Sequence, residues 1–74
     1  IQRHDAAAAV RAFKVALATG PADRAAAHLE LAEAYILNGQ LPDAKRQTLY
    51  ALEIAPSFEK AQELLLKIVE GQVE

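Results

Sequence analysis

The 74-residue sequence contains no cysteine, methionine or tryptophan, and its aromatic content is two phenylalanines and two tyrosines. Without cysteine there is no disulfide to brace the fold. The two histidines, His4 and His28, have no thiolate companions at ligand spacing, which argues against a structural zinc. Long apolar runs are missing too: the longest, Ala6 to Val10, falls far short of the roughly 20 residues that cross a bilayer, so membrane insertion is not expected. Charge of neither sign dominates, since eight basic and ten acidic residues leave a net charge of −2. With so few aromatics, that balance argues against a nucleic-acid surface. The chain starts at Ile1 with neither a basic n-region nor an apolar h-region, and we read it as an excised segment of a soluble protein. Absence of cysteine fits cytoplasm and periplasm alike, so the compartment stays open. A chain this short hides only about 60% of the surface its unfolded form exposes, so one thin core is the most it can build.

Alternating β-branched patterns are also lacking; Ala, Leu, Glu, Lys and Arg, all strong helix formers, make up most of the chain. The class is therefore all-α. Glycine and proline, three of each, sit at the breaks: Gly20-Pro21, Asn38-Gly39 followed by Pro42, Pro56, and Gly71. They divide residues 1–74 into four helices, expected over 5–19, 24–38, 42–55 and 57–70. Asp5 lies near the first N-terminal dipole and Gly20 supplies a left-handed C-terminal stop. The second helix starts near Asp23, Pro42 suits the first turn of the third, and Ser57 is placed to cap the fourth. Connections of a few residues make successive helices antiparallel neighbours.

Half of these helices repeat the other half. Ala9, Phe13, Ala16 and Pro21 recur thirty-five positions later as Ala44, Thr48, Ala51 and Pro56. Ala27, Leu31 and Tyr35 recur thirty-four positions later as Ala61, Leu65 and Val69. Small residues such as Ala32, Ala44 and Ala51 allow close approach of helix axes, while Leu31, Tyr35 and Leu52 fill the space between. Between Ala25 and Phe58, the residues Leu31, Ala32, Tyr35, Gly39, Ala44, Ala51 and Pro56 fall on the signature slots of the tetratricopeptide repeat, which this stretch resembles. His28, Ala32 and Thr48 depart from the usual residues at their slots. The resemblance implies antiparallel helix-turn-helix units stacked as a short right-handed α-solenoid. Helix one would be the second helix of a preceding repeat, helices two and three a complete repeat, and helix four a closing cap, together the C-terminal part of a larger array. The one-residue difference between the two displacements implies an extra residue in the turn between Gly20 and Asp23.

Chemistry finds little footing. Ser57, Thr19 and Thr48 are the hydroxyl candidates and His4 and His28 the bases, but none sits in a nucleophile elbow or a Gly-rich turn. Thr48 reads as an inward packing residue with its hydroxyl satisfied locally. His28, Glu30 and Glu33 resemble a metal cluster only loosely, because His28 to Glu33 lacks the spacing of three or four that one helix face requires. His28 reads as an inter-helix filler and His4 as part of a frayed end. No cofactor, metal or catalytic set is expected.

By the resemblance, function resides on the concave face that first helices present to ligands: Ala26, Leu29, Glu33, Ile36 and Leu37, continued by Lys60, Glu63, Lys67 and Glu70. Leu29, Ile36 and Leu37 would anchor the apolar side chains of a peptide or partner protein. Lys60, Glu63, Lys67 and Glu70 form a stripe of alternating sign that a solvated, self-paired helix face would also produce. The leading expectation is a protein-interaction scaffold. The alternatives are a homo-oligomer held through Ala8, Ala12 and Val15 on the nearly all-apolar first helix, and a helical accessory to an enzyme.

Overall fold

The computed structural model describes residues 3–71, with side chains from Asp5 onward. They form four α-helices and, among the described residues, no strand: α1 Arg3–Ala18, α2 Arg24–Leu37, α3 Leu41–Ile54 and α4 Glu59–Glu70. The all-α expectation holds, with helix boundaries within two residues of those read from the sequence. The Cα framework measures 32 × 32 × 16 Å, a slab thin enough for two helix layers. His4 lies outside the residues whose side chains are described.

Each joint follows from its local residues. Asp23 is the N-cap of α2, where its carboxylate accepts from the Ala26 N–H at 3.0 Å. At the other end of α2 the Gln40 N–H donates to the Tyr35 carbonyl at 2.8 Å and the Gly39 N–H to the Ile36 carbonyl at 3.0 Å. This is a Schellman closure that depends on φ +76° at Gly39. Pro42 sits in the first turn of α3, where no N–H is required. Ser57, however, does not cap α4. The Phe58 N–H donates to the Ala55 carbonyl at 3.0 Å, so Pro56 and Ser57 form the middle of a tight turn, and Phe58 takes the N-cap position with no side-chain bond. The turn through Pro56 and Ser57 places Ser57 one residue before the N-cap, and the helix starts at Glu59.

The core collects around α2. Leu31, Ala32, Ala34, Tyr35 and Ile36 pack with Val10 of α1 and Ala44 of α3. Half-buried Ala9, Phe13, Leu17, Leu41, Leu64 and Ile68 close around them. A second cluster joins Leu29 to Ala51 of α3 and Ala61 of α4. Ala32, Ala44, Ala51 and Ala61 are completely buried, as close helix approach demands. Among the described residues Thr48 is the one buried polar residue; it donates its hydroxyl to the Ala44 carbonyl at 2.8 Å, and no buried side-chain polar atom there is left unpaired. His28 fills the space between α2 and α3: its Nδ1 lies 2.7 Å from Gln47 Oε1, and its ring tilts against Tyr50 with centroids 5.4 Å apart.

Candidate functional site

With α1, α3 and α4 all packed around it, α2 has one free flank, formed by Ala26, Glu30, Glu33 and Leu37 at helical spacing. Two concavities open along this flank. A cleft of about 130 Å³ between α2 and α4 is lined by Glu33, Lys60, Glu63, Leu64 and Lys67. A groove of about 390 Å³ between α1 and α2 is lined by Ala9, Phe13, Glu30, Glu33, Ala34 and Leu37. Glu33 borders both, so the trough that the two concavities make across α2 is divided at that side chain.

Four of the expected contact residues, Glu33, Lys60, Glu63 and Lys67, therefore converge on one cleft. No ion pair forms among these four, although Asp43 and Arg46 on α3 pair at 3.0 Å. The cations and acids of α4 stand around half-buried Leu64 and are exposed. Glu70 is exposed on the same helix but does not line the cleft.

Leu37 lines the larger groove and is exposed, whereas Ala26 is half-buried and lines neither concavity. Leu29 and Ile36 are corrected by the structure. At 4% and 9% exposure they are core residues and cannot serve as surface anchors. The reason is that Ala51 and Ala61 are small enough to bring α3 and α4 over Leu29, while Ile36 belongs to the cluster shared with α1 and α3. Sequence reasoning missed Ala9, Phe13, Ala34 and Leu64, which form the apolar part of the trough. Only Leu64 carried a signal, lying four residues from Lys60 and three from Lys67 on one flank of α4; Ala9 and Phe13 become groove residues only through the approach of α1 to α2.

Ala8, Ala12 and Val15 are exposed, Val15 at 65%, so the outer face of α1 is uncovered. The loose metal motif is dispersed: His28 engages α3, while Glu33 opens into the trough. Among the described residues no three His, Asp or Glu side chains gather at metal-binding distance, and no helix is long and apolar enough to cross a membrane. Compared with known proteins, the chain matches no family model, no curated protein and no solved structure.

Proposed function

We propose that this chain is a protein-interaction module that receives a peptide or a segment of a partner protein in the trough across α2. The observation that carries this reading is the convergence of Glu33, Lys60, Glu63 and Lys67 around Leu64. Exposed side chains of both signs around one cleft offer hydrogen-bonding charge of either sign to a ligand, and Leu64 supplies a place for an apolar side chain. The larger groove extends the surface with Phe13, Ala34 and Leu37. A fitting ligand carries an apolar anchor flanked by charges of both signs. The tetratricopeptide-like register of Leu31, Ala32, Tyr35, Gly39, Ala44, Ala51 and Pro56 supports the same mode of action, a rigid helical scaffold presenting a concave surface.

The test is selection of binders from a random peptide library, followed by charge reversal. Glu33→Lys and Lys67→Glu lie on exposed helix positions, and circular dichroism checks that they stay folded. Each is expected to weaken the selected peptide by about tenfold, the equivalent of about 1.4 kcal/mol. Peptides that bind both variants as tightly as the parent chain would refute the trough assignment. A second reading, association between copies of the chain through α1, is favoured by the exposure of Ala8, Ala12 and Val15.

A further inference from the structure

Asn38 is the single asparagine of the sequence, and glycine follows it. That pair carries its own chemistry. An asparagine side chain reaches the backbone next to it, and the Gly39 nitrogen, with no Cβ beside it, can attack the Asn38 amide carbon and close a succinimide ring. In that step a bond forms between the Gly39 nitrogen and Asn38 Cγ, the Cγ–Nδ2 bond breaks, and Nδ2 leaves as ammonia, taking up the proton that the Gly39 nitrogen gives up. Water then opens the ring. Addition at Cγ restores the ordinary peptide bond and leaves aspartate at this position. Addition at the main-chain carbonyl carbon leaves isoaspartate, with the chain routed through Cβ and Cγ. The sum is one water consumed and one ammonia released, with no oxidant or reductant involved.

The fold restrains each part of this reaction. Asn38 ends α2 with ψ 6°, which sets the Gly39 nitrogen beside the Asn38 backbone nitrogen, whereas ring closure needs it beside Cβ. The Gly39 N–H, whose proton must leave before attack, donates to the Ile36 carbonyl at 3.0 Å, and the Gln40 N–H donates to the Tyr35 carbonyl at 2.8 Å. Rotation about the Asn38 Cα–C bond breaks both. The leaving group is tied as well: Asn38 Nδ2 donates to Gln40 Oε1, Gln40 Nε2 donates to Asp43 Oδ2 at 3.0 Å, and Arg46 donates to Asp43 Oδ1 at 3.0 Å. This chain of contacts spans the joint between α2 and α3. Asn38 is half-buried and Gly39 exposed, so water has access once the joint opens.

We infer that Asn38 is a self-modifying site, whose conversion to aspartate and isoaspartate with release of ammonia proceeds from the opened α2–α3 joint and leaves that joint weaker. Isoaspartate adds a carbon to the main chain between Tyr35 and Gln40, so the two closing bonds lose their register. Aspartate puts a negative charge at the C-terminus of α2, the negative end of the helix dipole, and replaces the donor to Gln40 Oε1 with an acceptor. Departure of ammonia makes the change one-way. The frequency of opening therefore sets the lifetime of the α2–α3 pairing that encloses Ala32, Tyr35 and Ala44.

The test is incubation of the chain at neutral pH, folded in one sample and in concentrated urea in the other. Intact mass reads the exchange of NH2 for OH, and methyl transfer from S-adenosylmethionine by an isoaspartyl methyltransferase counts the isoaspartate. With one asparagine in the chain, early product reports on Asn38. Product is expected in both samples, forming at least about tenfold more slowly in the folded chain because the closing bonds must first break. Gln40→Ala releases Asn38 Nδ2 and should raise the folded rate about threefold, with the rate in urea unchanged. Asn38→Asp, the direct product, should unfold at about 1 M less urea than the parent. Equal rates with and without urea overturn the inference, as does a folded chain still without product long after the urea sample is complete. So does an Asn38→Asp variant with an unchanged midpoint.

Discussion

Leu31 and Leu65 are the same residue type at the same place in successive units, yet their surroundings differ, which makes them a controlled pair. Leu31 is fully enclosed at 2% exposure, and Leu65 is half-buried. Truncating Leu31 to Ala removes three carbons at about 0.8 kcal/mol each and leaves a cavity that α1 and α3 cannot close completely. The expected loss is about 3 to 4 kcal/mol. A 74-residue chain carries about 4 to 11 kcal/mol in total, so that loss is a large share. Leu65→Ala exposes little new cavity and should cost about 1 to 1.5 kcal/mol. Urea unfolding followed by circular dichroism at low protein concentration reads both. With a slope of about 1 to 1.5 kcal/mol per molar, the Leu31 variant should lose about 2 to 4 M in midpoint and the Leu65 variant about 1 M. Equal losses in dilute solution would mean that α4 is covered as completely as α2, and the argument from unequal burial of repeat-related positions would fail.

Ala44→Leu should overpack the completely buried contact of α3 with the α2 core, costing about 1 to 3 kcal/mol, read as a lowered thermal midpoint; an unchanged midpoint would show slack that the packing does not contain. Asp23→Ala removes the carboxylate that accepts from the Ala26 N–H and should cost about 1 kcal/mol, with Asp23→Asn restoring most of it; equal effects of the two would assign the contribution to charge instead of the cap.

The helices were legible because glycine and proline act locally. Gly20, Gly39 and Pro42 decide the backbone where they stand, whatever the rest of the chain does. Thr48 and His28 were also legible as packing residues, the first bonding within its own helix and the second bridging to α3. Ser57 misled because it lies inside the turn closed by the Phe58 N–H on the Ala55 carbonyl, one residue short of the N-cap position. Leu29 and Ile36 misled for a different reason. Which flank of α2 is free depends on three other helices arriving around it, and the closeness of α4 is set by Ala61, thirty-two residues beyond Leu29. The charged half of the trough was readable on α4, where Lys60, Glu63 and Lys67 share one flank. The apolar half was not, because Ala9 and Phe13 become groove residues only when α1 crosses beside Ala34 and Leu37.

The stop at the end of α4 discriminates by mirror symmetry instead of by size. Gly71 adopts φ +73°, yet a methyl group built on it would meet nothing within 4 Å. An L-alanine there is penalised by its own backbone alone, whereas a D-alanine prefers that very quadrant and would narrow the conformers open to the denatured chain. In a polypeptide short enough for total synthesis, one inverted stereocentre would therefore fasten the last turn of α4 without altering any surface that a ligand or a second copy could touch.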